Sequence, residues 1–388
     1  MQGKGLLNLA LSDEQTITVT SESCKRFRFR QNECQICADI CPEQAITLDI
    51  GPTITDNCTH CGLCISACPT EVFQNNLDVD QYVLDQMQQT YNKQTSQKNA
   101  SRITLQCQQA STGGNEHSIK VRCLGNINEN VVLSAVLIGF DEMTCYTGDC
   151  DQCHYHQGEA LFDDAVILAG TLINGLDVKG LSVKRIIQPK EGVNEEALSR
   201  RAFFSKIGQH VKQRTVPADY TRQNPIETLL AQITESSDID KHPSLKRQQL
   251  RNIMNQQLNK QQEKDFSKQT LPWKRMWVEQ EKCVACAICV NVCPTGALVK
   301  EIKDDALYRY FSSASCTNCG LCQEACPHSI IHFIDEYTVK DVTEDIPSLV
   351  ARVPLNSCQY CGETIPVSEG EICTTCQKRQ VSPLFLNR

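Results

Sequence analysis

Cys283, Cys286, Cys289 and Cys293, followed by Pro294, place a cysteine at every third position and then one four residues on, and the pattern returns at Cys316, Cys319, Cys322, Cys326 and Pro327. Three thiolates at that interval let a short loop wrap one corner of an iron–sulfur cubane, while the fourth reaches across to a neighbouring cluster. Cys283, Cys286, Cys289 and Cys326 are therefore expected to hold one [4Fe–4S] cluster, and Cys316, Cys319, Cys322 and Cys293 a second. The proline after each fourth cysteine donates no hydrogen bond and restricts the residue before it, which fixes the chain's exit from the cluster.

The same chemistry recurs near the N-terminus with one departure. Cys58, Cys61, Cys64, Cys68 and Pro69 form a complete run, but Gln31, Cys34, Cys37, Cys41 and Pro42 put a glutamine where the first cysteine belongs. Cys24 is the replacement. It opens residues 24–30, where the alternation of Phe27 and Phe29 with basic residues predicts a strand whose arginines form a solvated face. Cys24, Cys34, Cys37 and Cys68 are assigned to one cluster, and Cys58, Cys61, Cys64 and Cys41 to another. Loss of Cys24 would leave a three-iron centre. Ile36, Ile40, Ile65, Val284, Ile288 and Val292, interleaved with the ligands, are read as packing that keeps water off the iron; burial and hydrogen bonds to sulfur set the potential.

In the tail, Cys358 and Cys361 pair with Cys373 and Cys376 at the spacing of two zinc knuckles, with no proline after either. Tetrahedral Zn²⁺ is redox-inert, and a segment with so few apolar residues needs a metal to fold.

Between the two cysteine-rich ends, apolar runs finish in cysteine at Cys107, Cys123 and Cys145. They are predicted strands, with helices over residues 128–140 and 158–175, a strand near 183–187 and a polar helix over 195–213. This is the order of an open α/β sheet, in which the carboxyl ends of the strands meet at one edge where ligands bind. Cys107, Cys123, Cys145 and Cys150 are the expected ligand set for one metal centre, with Cys153 as substitute. His154 and His156 stand in reserve, and a buried or redox-sensing thiol cluster is the alternative. His60 and His328 adjoin quartets already complete in sulfur and are read as packing groups.

Both ends resemble bacterial dicluster ferredoxin modules, over about residues 23–76 and 277–336, which implies a pair of hairpins and short helices around two buried clusters. Residues 101–214 resemble the delta-subunit domain of methyl-viologen-reducing hydrogenases through Cys123-Leu124-Gly125, Cys145-Tyr146-Thr147-Gly148-Asp149-Cys150, Cys153-His154-Tyr155 and Gly158. That resemblance implies a [2Fe–2S] cluster and association with a heterodisulfide reductase.

The elements that must carry these groups follow from the remaining sequence. The expected fold is multidomain α+β: a dicluster module with a trailing helix (1–98), a central open α/β domain (99–215), a polar helical linker (216–272), a second dicluster module (273–340) and a small zinc-ribbon-like tail (341–388). Leu84, Met87 and Tyr91 mark an amphipathic helix over 81–93 that packs on a neighbouring domain. In the linker, Leu250, Ile253, Met254 and Leu258 form a helical stripe, read as a solvated connector.

Composition excludes several classes. The chain has 388 residues and a formal net charge of −8, which thiolate-bound clusters make more negative, so nucleic acid is not an expected partner. Its only apolar N-terminal stretch, residues 6–11, is interrupted by Asn8 and too short for a secretion signal or a membrane span. Arg200-Arg201 is internal with no apolar run after it, so it is not an export signal. A disulfide scaffold would be short and secreted, and a reducing, cytoplasmic setting is expected instead. There is no dinucleotide fingerprint, phosphate loop or hydrolytic triad. The expected function is electron relay through four [4Fe–4S] clusters and one [2Fe–2S], with one structural Zn²⁺, to or from a partner oxidoreductase such as a hydrogenase, a formate dehydrogenase or a heterodisulfide-reductase-like enzyme. The alternatives are a thiol-active oxidoreductase at the sheet edge, or a redox-sensing or assembly protein.

Overall fold

The computed structural model of the protein describes residues 16–76, 79–96, 101–111, 118–176, 180–188, 240–257, 273–335 and 338–381. The helix expected over 195–213, the Arg200-Arg201 pair and Leu258 lie outside them.

The N-terminal module runs β1 (Ile17–Val19), α1 (Lys25–Arg28), α2 (Ile36–Asp39), β2 (Ile46–Leu48), β3 (Pro52–Ile54), α3 (Leu63–Ala67) and β4 (Phe73–Asn75). Its first and last strands pair antiparallel, with Val19 opposite Phe73, and β2 and β3 form the inner hairpin, with Ile46 opposite Ile54. Only six buried side chains form its core, and three of them are Cys24, Cys37 and Cys64. Of the interleaved aliphatics, Ile40 and Ile65 pack on this core. Ile36 does not; it is 43% exposed.

Residues 24–30 are not a strand. Lys25–Arg28 is a helical turn with Cys24 at its N-cap. Arg28, expected on a solvated face, is fully buried. Its guanidinium donates to the carbonyls of Glu22, Asp240 and Asn291, the last two more than 200 residues away in sequence. Those tertiary acceptors, which replace water for the charge, override the short alternating pattern.

A central domain follows: α4 (Val79–Ser96), β5 (Arg102–Cys107), β6 (Ile119–Val121), α5 (Glu129–Ile138), β7 (Glu142–Thr147), α6 (Gly158–Leu176) and β8 (Ser182–Ile187). Its sheet is parallel throughout in the order β6-β5-β7-β8. The direction of winding reverses between β5 and β7, which is where an open α/β sheet leaves a crevice at the strands' carboxyl ends. Helix α4, longer than the expected 81–93, packs Val83 and Met87 into this domain's core.

The linker segment contains α7 (Leu245–Gln257). This helix is no solvated connector: Leu250 and Met254 are fully buried against Leu133 and Leu172 of the central domain and against Trp273 and Val342. Asn130 of α5 also donates to the Lys246 carbonyl, at 3.0 Å.

The second module repeats the first with β9 (Arg275–Val278), α8 (Ile288–Val292), β10 (Leu298–Lys303), β11 (Ala306–Phe311), α9 (Leu321–Glu324) and β12 (Ile331–Ile334). Again the outer strands pair, here β9 with β12, around an inner hairpin, β10 with β11. After α10 (Val339–Thr343), the long strand β13 (Ser348–Ser357) joins the hairpin's sheet beside β11 and runs on to pair with β14 (Thr364–Pro366), ahead of α11 (Thr374–Val381). The tail is thus tied to the second module by a continuous strand. Among the described residues no helix is long and apolar enough to cross a membrane.

The two modules touch through Phe29, which is 3% exposed and packs with Ile288, Val292, Leu321 and Ala325 of the second module. Asn32 donates to Glu324 across the same seam, at 2.6 Å. Phe29→Ala is expected to cost about 3–5 kcal/mol, read as a lower midpoint of anaerobic chemical unfolding. An unchanged midpoint would mean that this seam contributes nothing.

Candidate metal centres

The backbone of each cysteine run is shaped for wrapping. In the three complete runs the residue before the second cysteine (His60, Ala285, Asn318) and the one after it (Gly62, Ala287, Gly320) are both left-handed, with φ from 53° to 82°. All four runs are left-handed again three residues after the last cysteine, at Gln44, Glu71, Gly296 and Ser329. Non-glycine residues in this region each cost of order 1 kcal/mol or more, so the repetition marks an imposed geometry. The incomplete run departs as its missing cysteine requires: Gln35 has φ −128°, because the first ligand position is filled from outside the loop.

Within each module the cysteines come together in groups. Burial raises the Cys24 thiol, the N–H groups of Phe27 and Arg26 oppose it, and the charges of Cys68 and Cys34 reach it. Cys37 is pushed up to about 12 by burial and by Cys68, Cys24 and Cys34. Burial, then the charges of Cys61, Cys58 and Cys41, raise Cys64, and these four line one cavity with Ile46 and Ile54. In the second module Cys283, Cys286, Cys289 and Cys326 line a common cavity with Arg309. Cys316, pushed up to about 12 chiefly by burial, feels Cys293 and Cys319. Backbone N–H groups of Ala45, His60 and Asn318 donate to Cys41, Cys58 and Cys316 at 3.3–3.4 Å, the contacts that tune a cluster's potential.

In the central domain a crevice at the sheet edge is lined by Cys107, Cys123, Cys150 and Cys153, with Thr147, Arg122 and Arg185. Cys107 ends β5 and Cys123 follows β6; Cys150 and Cys153 bracket a 3₁₀ turn beyond β7. Burial, then the charges of Cys107, Cys153 and Cys150, push Cys123 up to about 12. Cys145 stands apart, and here the expected set is corrected. It lies two residues short of the end of β7 in register with Leu105, fully buried; Thr147 takes the crevice position. Burial raises its thiol and no cysteine contributes. Cys153 takes its place in the group. His154 points away, 2.8 Å from Glu43 of the first module.

Two glycines make the crevice. A Cβ on Gly158 would sit 2.4 Å from the Cys123 sulfur, and one on Gly125 would sit 2.6 Å from the Gly158 Cα. Both positions also abut Leu63, the neighbour of Cys64, so the first module's second quartet and the central crevice share a wall. Asn126 donates to the Cys61 carbonyl and Arg122 to the Thr59 carbonyl, each at 2.8 Å.

The tail quartet differs in scale. The ligand atoms of Cys358, Cys361, Cys373 and Cys376 all lie within 4.8 Å of one another, the only such group of three or more among the described residues. A tetrahedral ion with bonds of about 2.3 Å separates its sulfurs by about 3.8 Å, and Cys361 and Cys373 are 3.7 Å apart. The N–H groups of Cys373 and Cys361 pull the Cys358 thiol down to about 6. The tail quartet has the scale of a single-ion site, and no other group of three or more ligand atoms among the described residues is gathered as closely.

Sequence reasoning missed the basic groups between quartets. Lys241 donates to the carbonyls of Val290, Asn291 and Cys293 at 2.7–2.9 Å, and nothing local in the linker announces it. Arg309 was legible, as a charge at an inward position of the alternating strand Leu307-Tyr308-Arg309-Tyr310-Phe311.

Comparison with known proteins finds three family matches along the chain. Residues 275–327 match the family described as 4Fe-4S dicluster domain, residues 52–74 the 4Fe-4S binding domain, and residues 93–191 the methyl-viologen-reducing hydrogenase delta subunit. The chain is 35% identical over 54 residues to an uncharacterized ferredoxin of Methanocaldococcus jannaschii, covering 14% of this chain and 70% of that one. It is 37% identical over 70 residues to NAD(P)H-quinone oxidoreductase subunit I of Gloeobacter violaceus (16% and 34%). It is 35% identical over 57 residues to the delta subunit of the NADH-dependent phenylglyoxylate dehydrogenase of Aromatoleum evansii (14% and 57%). The chain therefore spans between a third and seven-tenths of the length of these relatives.

Two outcomes are expected. Cys153→Ser should remove the central centre's absorption and iron while Cys145→Ser leaves them in place; the reverse result would restore Cys145 to the set. A zinc chelator should melt the tail's structure without bleaching the iron chromophore, as hydrogen exchange at residues 358–376 would report; full protection after chelation contradicts a metal-dependent tail.

Proposed function

This chain belongs to the proteins built on 4Fe-4S ferredoxin domains and carries a methyl-viologen-reducing hydrogenase delta-subunit domain, and on that premise we propose that it is an electron-transfer subunit serving a partner oxidoreductase. It holds four [4Fe–4S] clusters on the quartets described, a [2Fe–2S] cluster on Cys107, Cys123, Cys150 and Cys153, and one Zn²⁺ in the tail that only braces the fold. Iron–sulfur clusters supply one-electron exchange when bound; the protein supplies order, spacing and a dry path.

The observation that carries this reading is the contact between successive quartets. The central crevice shares Leu63 with the Cys58–Cys64 loop. The charge of Cys37, from the first quartet, reaches Cys64 of the second. From Cys24, the turn α1 carries Lys25 and Arg28 toward Cys319 and Cys293 of the other module, and Cys319 and Cys286 border the apolar cluster into which Phe29 packs. Cys322 in turn feels Cys289 of the last quartet. These links support a single line of five groups, with the central crevice at one end and the Cys283 quartet at the other.

Two relatives are named as subunits of an NAD(P)H-quinone oxidoreductase and of an NADH-dependent dehydrogenase, which supports an oxidoreductase as the partner; the proposed kinds are a hydrogenase, a formate dehydrogenase or a heterodisulfide-reductase-like enzyme in the cytoplasm.

Anaerobically purified protein is expected to contain about eighteen irons and one zinc, from four cubanes, one two-iron cluster and the tail, and to be reoxidised by a viologen after reduction. Fewer than about ten irons, or iron that cannot be cycled by a one-electron acceptor, contradicts the relay.

A further inference from the structure

Arg309 sits on the inward face of β11 between Leu307 and Phe311, where the pairing of β11 with β13 slips by a bulge immediately after it. A bulge re-aims side chains, and this one carries a guanidinium, 2% exposed, into the cavity of Cys283, Cys286, Cys289 and Cys326. Its Nη1 donates to the Cys283 sulfur at 3.3 Å, while Nε and Nη2 are buried without a hydrogen-bond partner. Among the described residues no carboxylate pairs with it, and no other cationic side chain donates to a quartet sulfur. A buried cation without a counter-ion is strongly unfavourable, so the site is built for negative charge inside the cavity. The cavity of Cys41, Cys58, Cys61 and Cys64 is the reverse case, lined by Glu43 and no cation.

Resting on the relay reading above, we propose that Arg309 raises the reduction potential of the cluster held by Cys283, Cys286, Cys289 and Cys326 above that of the other three cubanes, making this quartet the end of the line at which electrons collect. With both clusters in place, the one held by Cys283, Cys286, Cys289 and Cys326 would gain one electron as a reduced neighbour in the Cys316 quartet lost one. No proton moves, because a guanidinium keeps its proton in both states. The added negative charge falls beside a fixed positive one in a dry cavity, where their attraction is least screened. Arg309 is a positioning residue: it acts on the cluster's energy and exchanges no electron itself.

The test is an anaerobic redox titration of the full chain followed by EPR, on the wild type, Arg309→Lys and Arg309→Met, with iron content measured in each. One cubane of the wild type should be reduced at a distinctly higher potential than the rest. In Arg309→Met that potential alone should fall, by at least tenfold in the reduction equilibrium, which is 59 mV for one electron; Arg309→Lys should retain most of it. If Arg309→Met sheds the cluster instead, about four irons go and the highest-potential signal must vanish with them; its persistence overturns the proposal. Full iron with an unmoved potential, or an equal shift in all cubanes, overturns the role of Arg309 alone. Protein with no reducible cluster overturns the relay reading and the proposal together.

Discussion

Cysteine side chains stand where a small domain would normally put leucines. In each dicluster module the buried apolar set is built around the quartets, and units of this size are only marginally stable on side-chain burial alone. Sulfur gathered at the centre is therefore both the cofactor socket and the core. The left-handed residues that recur at matching positions in the runs are strained conformations that a single well-packed arrangement must hold in place. The short helices α2, α3, α8 and α9 serve mainly to carry cysteines inward between those bends.

The same economy governs how the modules are joined. In place of a flexible linker, a buried helical turn (α1) inserts Phe29 and Arg28 into the second module, and α7 buries Leu250 and Met254 between the central domain and α10. At the other seam, Gly158 leaves the space that the Cys123 sulfur and Leu63 close in on, and Gly125 leaves room for Leu63 as well. The α1 and glycine contacts each bring one quartet beside the next and are made by residues one to five positions from a cysteine, so that a change in packing there is felt at the metal centres. The zinc-sized tail site stands off this line, tied in by β13.

Much of this was legible because it is local. The C-x2-C-x2-C-x3-C-P runs specify loop geometry within a dozen residues, and the parallel sheet followed from apolar runs alternating with helix-like segments. What sequence could not supply came from distant partners. Residues 24–30 alternate like a strand, but the acceptors that bury Arg28 come from Asp240 and Asn291. The stripe Leu250-Ile253-Met254 looked solvated because its cover, Trp273 and Val342, lies across the fold. Cys145 shares a face with Thr147, and only the strand's two further residues show that it lies a layer below the crevice. In the second module a charged residue at an inward strand position was the available signal for Arg309.

The central claim is that the quartets form one line across both modules, and spin relaxation tests it most directly. In the reduced protein, EPR signals of the N-terminal clusters should relax faster than in Cys319→Ser/Cys322→Ser, in which the adjacent cluster of the second module is lost, because a paramagnet close by shortens relaxation. Identical relaxation in the two proteins would place the modules' clusters out of reach of each other and contradict the account.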